Sequence, residues 1–225
     1  LIGTLHYTNG VLSVFRTKIL QKEGGLSPDV LTEDLEVAMR LKARGYDIIM
    51  ASGGLYAYTI VPDTLAKLWM QRLRWFRGYI QTCLLHRKVI GSRAHGLVGL
   101  FQMPLEIGML MLMLVGALFM FYQLIVTGYN FLVKVISLNV HYFDGWEFPS
   151  VKEYILTFNL KLVFPILIAI IVGLWLYGRA HKHTSEKWKY LISSFTYLFL
   201  YPIIRGVQWW HAVYLEVKGA KKRWR

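Results

Sequence analysis

Residues 97–129 read LVGLFQMPLEIGMLMLMLVGALFMFYQLIVTGY, a run in which Glu106 is the only charged side chain. About 20 consecutive apolar residues suffice to carry a helix across a bilayer, so the run is long enough to span, with an interfacial turn before Pro104. Two more apolar stretches follow. Residues 154–177 are interrupted only by Lys161 and Pro165, and residues 190–217 carry Pro202 and Arg205 near their middle. The region 97–217 therefore reads as a helical transmembrane region, closed by the basic tail 218–225. Basic residues gather before Leu97 and between Arg179 and Lys189, which places both segments on the cytoplasmic side, with the connection Asn130–Glu153 facing outward. A third full crossing would put the basic tail outside. Either the charge rule fails for this segment, or Pro202 and Arg205 mark a re-entrant or interfacial segment, the reading preferred here.

Composition agrees with a membrane chain that has polar ends. Of 225 residues, 55% are hydrophobic and 17% charged, against about 25% charged in a soluble domain. The formal net charge of +13 would suit nucleic acid on a soluble protein. Here the cations flank apolar blocks, where anionic lipid is the better partner, so no nucleic acid is expected. A single cysteine, Cys83, excludes an internal disulfide. The chain opens Leu1-Ile2-Gly3 without a signal-peptide pattern and reads as a fragment that starts mid-domain.

Outward from the apolar run, residues 1–62 look like mixed α/β structure. Gly10–Phe15 has the short apolar run of a buried strand or of the start of a helix, and Asp47–Ala51 reads as a strand. Between them Thr32 stands as hydroxyl N-cap of a helix with Glu33 and Asp34 in its first turn, Leu35, Ala38 and Met39 as its apolar stripe, and Gly45 at its close. Residues 63–96 form a second helical region beginning at Pro62-Asp63-Thr64 and running to about His86. Its interleaved arginines and aromatics fit a helix at a membrane surface.

Two constellations could carry chemistry. An acidic side chain at a helix N-terminus is stabilised as the anion by the helix dipole, and a positioned carboxylate can take the proton of an attacking hydroxyl. Thr32-Glu33-Asp34 offers this, although plain helix capping gives the same pattern. In Gln71-Arg72-Leu73-Arg74-Trp75, residues Gln71, Arg74 and Trp75 share a helix face at i, i+3 and i+4, and Gly78 extends that face with room for a ligand. Guanidinium suits pyrophosphate and indole suits the flat face of a sugar. An interfacial helix among lipid headgroups would look similar.

Taken in order, Gly10-Val11-Leu12-Ser13-Val14-Phe15-Arg16, Gly24-Gly25, Thr32-Glu33-Asp34, Arg44-Gly45-Tyr46 and Gln71-Arg72-Leu73-Arg74-Trp75 resemble the processive family 2 glycosyltransferases, among them cellulose, chitin, poly-N-acetylglucosamine and hyaluronan synthases. The resemblance covers residues 1 to about 90, with spans following. It implies that residues 1–62 are the C-terminal part of a GT-A type catalytic domain. The implied reaction is an inverting transfer of sugar from a nucleotide-sugar donor, expected to be a UDP-sugar, to a growing polysaccharide.

By the same resemblance Asp34 would be the catalytic base, with Thr32 and Glu33 supporting its loop. Gln71, Arg72 and Arg74 would bind the pyrophosphate or acceptor, and Trp75 would stack beneath the terminal acceptor sugar. A divalent metal, Mg or Mn, would be held by an Asp-x-Asp motif upstream. No Asp-x-Asp occurs in this sequence, so no metal ligands are expected in it, and the fragment alone is expected to be inactive. One departure stands out: Tyr58-Thr59-Ile60-Val61-Pro62 lacks the acidic residue that many relatives carry before that proline.

Other residues are open to two readings. Glu106, Lys161 and Arg205 could line a polymer channel or sit at headgroup depth. His181 and His183 suit a solvated loop better than a metal site, and Trp146, Trp175, Trp209 and Trp210 suit interface belts or span packing. Two further functions compete with the first, a single-addition transferase acting on a lipid carrier and a non-catalytic membrane transport subunit. Neither accounts as well for Asp34 and the Gln71–Trp75 helix standing before the spans.

Overall fold

A computed structural model describes residues 6–8, 10–50, 57–138, 150, 160–184 and 191–221. Among these residues every regular element is helical: α1 (Thr17–Lys22), α2 (Glu33–Ala43), α3 (Leu65–Leu85), α4 (Met103–Leu138), α5 (Leu160–Thr184) and α6 (Leu191–Val217). Short 3-10 turns at Arg87–Val89 and Arg93–His95 and a π-helical turn at Val98–Gln102 connect α3 to α4. The chain divides into two compact units, Leu1–Ala117 with Ile204–Arg225, and Leu118–Ile203.

The strands expected near the N-terminus do not form among the described residues. Residues 10–16 are turn and coil leading into α1, and residues 46–50 are coil with Ile49 and Met50 exposed. A strand needs a neighbouring edge for its N–H and C=O groups, and the described residues supply none. Ala51 lies outside the described residues, as do most of the connection 130–153, Trp146, and the end of the tail from Lys222.

In the first unit, α2 follows its sequence signals closely. Glu33, Asp34 and Glu36 fill the first turn and Arg40 and Lys42 the last, each matched to the helix dipole. Gly45 adopts φ +83°. There its N–H donates to the Lys42 carbonyl at 3.0 Å and that of Tyr46 to the Leu41 carbonyl at 3.0 Å, the paired bonds that end a helix on a left-handed residue. Met39 is buried with Val98 and Met103, flanked by Cys83, Ile90 and Ile107. His86 Nε2, just past α3, lies 3.0 Å from Glu36 Oε1.

Helix α3 begins at Thr64, whose Oγ1 accepts from the Lys67 N–H at 3.3 Å. Its apolar side carries Leu73 and Phe76 into a core with Leu114, Trp209 and Ala212. Phe76 stacks on Trp209 at 4.2 Å between ring centroids, and Tyr79 meets the same indole edge-on at 5.8 Å. Arg205 places its guanidinium 5.9 Å from the Phe76 ring. The end of α6 thus packs on α3 through aromatic contacts, and Leu114 of α4 joins the same core. At Gly99, a side chain would run into the Ser92 and Val89 carbonyls, so only glycine admits the tight turn into α4.

In the second unit, helix continues through α5 despite Pro165, and α6 is unbroken at Pro202. Among the described residues one helix, Val98–Leu138, is long and apolar enough to cross a membrane. At 1.5 Å per residue it runs about 60 Å, twice the hydrocarbon thickness of about 30 Å.

Candidate active site

Asp34 stands in the first turn of α2, half-buried. Its Oδ1 accepts from the Leu35 N–H at 2.8 Å and its carbonyl accepts from Thr8 Oγ1 at 2.8 Å. The Gly10 backbone passes so close that a Cβ there would lie 2.9 Å from Oδ2. A side chain at position 10 would press on this carboxylate and turn it aside.

Immediately before it, Leu31 and Thr32 are laid along one face of α3. The Leu31 N–H donates to Gln81 Oε1 at 3.1 Å, and the Leu31 carbonyl accepts from Arg74 Nη1 at 3.2 Å. Arg74 and Gln81 lie seven residues apart, two turns along one helix face. Between them Gly78 takes the side chain of Thr32. A Cβ on Gly78 would stand 2.6 Å from Thr32 Cγ2 and 2.8 Å from its Cβ.

Two sequence expectations are corrected here. Thr32 occupies the N-cap position of α2, but its hydroxyl makes no capping bond. It is buried against α3 without a hydrogen-bond partner. The bare face at Gly78, expected to leave room for a ligand, is instead filled by Thr32.

Of the remaining predicted residues, Glu33, Arg72 and Trp75 adjoin in sequence the residues that form this joint. Trp75 is 39% exposed, so a partner can still reach it. One face of its indole is covered by the Arg72 guanidinium, 4.2 Å from the ring centroid, an attraction that fixes the ring's orientation. Arg72 Nε and Glu33 Oε2 are buried without hydrogen-bond partners. Gln71 lies apart from this joint, at an open depression of about 260 Å³ lined also by Ile60, Val61, Pro62, Asp63 and Lys67. That depression includes neither Asp34 nor Trp75.

Several residues escaped the sequence reading. Arg77, 7% exposed, donates through Nε to Glu216 Oε1 and through Nη2 to the Ala220 carbonyl at 2.7 Å. Gln81 Nε2 donates to the same Glu216 oxygen at 3.0 Å. Glu216 is the only acidic residue beyond Glu186, and that isolation was the available signal. Glu106, expected in a channel or at headgroup depth, lies with His6 Nε2 3.2 Å from its Oε2. It also accepts from Gln102 Nε2 at 3.0 Å and from Tyr79 Oη at 3.4 Å. Burial, with Cys83 and Glu106 close by, pushes the Tyr79 phenol up. Burial likewise pushes the Cys83 thiol up to about 11. The side chains of Lys161, His181 and His183 lie outside the described residues.

Among the described residues no three His, Cys, Asp or Glu side chains converge as a metal site would require. The divalent metal implied by the resemblance therefore finds no ligand set there.

The family model described as Glycosyl transferase family group 2 matches residues 3–215. The chain belongs to this family. The match takes in the Thr32–Asp34 segment, α3 and most of the apolar helices together. Among curated relatives, the poly-β-1,6-N-acetyl-D-glucosamine synthase of Staphylococcus aureus (strain COL) is 35% identical over 78 residues, covering 35% of this chain and 19% of that protein. The synthase of the same name from Staphylococcus epidermidis (strain RP62A) is 33% identical over 78 residues, with the same coverage. The chain thus spans about one fifth of the length of these relatives. No solved structure matches it significantly.

Proposed function

We propose that this chain is the acceptor-side part of a membrane-bound, inverting and processive glycosyltransferase. The observation that carries the reading is the joint between α2 and α3. Arg74 and Gln81 hold both backbone polar groups of Leu31, and Thr32 is seated on Gly78. The Asp34-bearing turn is thereby tied to the helix that presents Trp75. A capping carboxylate or a lipid-facing helix would need no such tie.

In the proposed reaction the terminal hydroxyl of the acceptor loses its proton to Asp34 as its oxygen attacks the anomeric carbon of the donor. The glycosyl–phosphate bond breaks on the opposite side, and the nucleoside diphosphate departs with its electron pair. Trp75, held by Arg72, supplies the flat apolar surface under the acceptor ring. Thr32 and Glu33 fix the turn, Arg72 and Arg74 lend positive charge, and Gln71 meets the sugar chain at the neighbouring depression. Donor and metal binding belong to a GT-A type α/β portion outside this chain, completed by residues 1–62. The basic flanks support a cytoplasmic catalytic side beside membrane helices, and the proposed reaction takes a UDP-sugar as donor and a polysaccharide as acceptor. The relatives are named for poly-β-1,6-N-acetyl-D-glucosamine, which makes UDP-N-acetylglucosamine the first donor to try.

The test is product analysis with the full-length protein in membrane vesicles and a panel of labelled nucleotide sugars. A ladder of chain lengths is expected. A single addition to a lipid carrier would replace processivity by one-step transfer, and no transfer from any donor would favour a transport subunit.

A further inference from the structure

We infer that Glu216, at the end of α6, is a positioning residue for sugar transfer, acting through Gln81 on the turn that carries Asp34; this rests on the function proposed above.

The argument starts from the chemistry of an amide. The side chain of Gln81 has a donor end and an acceptor end, and only its acceptor end can hold the Leu31 N–H. Glu216 decides which end faces which way. Its carboxylate oxygen accepts from Gln81 Nε2 at 3.0 Å, so Oε1 is left facing the Leu31 N–H at 3.1 Å. Arg77, one turn before Gln81, holds the same Glu216 oxygen and also the Ala220 and Lys221 carbonyls. Arg77, Gln81 and Leu31 are all buried, so water is a poor substitute for any of these bonds and each break is costly.

The consequence is directional. From Glu216 the chain of contacts passes through Gln81 to Leu31, then by the backbone to Thr32 and Asp34. None of the first three side chains touches the reacting atoms in this reading. Disturbing Glu216 or Gln81 should shift the Asp34 turn against Trp75 and leave the donor side intact.

The experiment is a swap of carboxylate and amide in the full-length protein, using Gln81→Glu, Glu216→Gln and the double variant, with Asp34→Asn run beside them. Gln81→Glu, which sets two carboxylates face to face, should lower kcat for sugar transfer by about 10- to 100-fold, the scale of a misplacement near 1 Å, with KM for the donor within about twofold; Glu216→Gln keeps an amide oxygen that can accept from Gln81 Nε2 and Arg77 Nε and should lower kcat by no more than a few-fold. The double variant, which keeps the same charge and the same pair of group types, should recover kcat to within a few-fold of the parent. That recovery supports the inference even if a single variant fails to fold. A Gln81→Glu variant with parental kcat overturns it, as does a double variant no better than Gln81→Glu. Asp34→Asn reads the underlying function separately. If it transfers sugar like the parent, the catalytic assignment fails whatever the swap shows.

Discussion

Replacing Gly78 by alanine separates two physical effects that point in opposite directions. Alanine is preferred over glycine inside a helix by about 1 kcal/mol, so propensity alone makes Gly78→Ala stabilising. The structure opposes this. The new Cβ would stand 2.6 Å from Thr32 Cγ2 and 2.8 Å from Thr32 Cβ, whereas carbon atoms rest at about 3.5–4.0 Å. Relief requires a movement of about 1 Å. Thr32 is β-branched and stiff at χ1, and the Leu31 backbone before it is held at its N–H by Gln81 and at its carbonyl by Arg74. The turn bearing Asp34 must therefore move away from α3. Overpacking of this kind costs about 1–3 kcal/mol, which cancels or exceeds the helix gain, and a 1 Å displacement at a reacting group can cost about 10²-fold in rate. The assay is paired: thermal unfolding in detergent and kcat for sugar transfer, both on the full-length protein. The expected result is an unchanged or lower Tm with kcat reduced by one to two orders of magnitude. Combining Gly78→Ala with Thr32→Gly, which removes every Thr32 side-chain atom in the clash, should recover part of the lost Tm. A Gly78→Ala protein with higher Tm and parental kcat would refute the reasoning.

Three other outcomes follow from the same geometry. Trp75→Ala should reduce chain elongation more than donor hydrolysis, by about tenfold for each 1.4 kcal/mol of lost stacking; equal losses in both activities would argue against an acceptor platform. Gly45→Ala forces a side chain into φ +83° and should destabilise the protein by about 1–2 kcal/mol in equilibrium unfolding, an unchanged midpoint being the contrary result. Cys83 is the only cysteine and burial holds its thiol protonated up to about 11, above its ordinary value of about 8.5. Its alkylation by iodoacetamide should stay slow through pH 9 and rise only toward about pH 11. Because the unfolded thiol loses its proton first, this group's share of stability is complete below about pH 8.5 and is lost across that window. Fast labelling at neutral pH would contradict the burial.

Much of the local structure was legible because it depends on near neighbours. The acidic start of α2, its close at Gly45 and the extent of α3 rest on capping, dipole and left-handed backbone rules that operate within a few residues. Readings that depend on distant chain fared worse. The apolar run Asp47–Ala51 looks like a strand, yet residues 47–50 are coil, because pattern alone does not provide an edge to pair with. Thr32 was a good N-cap by residue type, but packing turned its hydroxyl toward α3. Gly78 announced a missing side chain, and nothing near it in sequence said that Thr32, 46 positions earlier, fills the gap. The Gln81–Glu216 contact joins residues 135 apart and was beyond any periodicity. The candidate site was therefore readable as a set of residue types, while the joint that unites them was readable only in three dimensions.

The account turns on Asp34 taking a proton during transfer rather than merely capping α2. The direct measurement is the single-turnover rate of sugar transfer by Asp34→Asn in the full-length protein, with donor affinity measured in parallel. Asparagine keeps the shape and the helix-capping capacity but cannot serve as base. The account predicts a rate lowered by about 10²–10⁴-fold with donor affinity unchanged; a rate within a few-fold of the parent would contradict it.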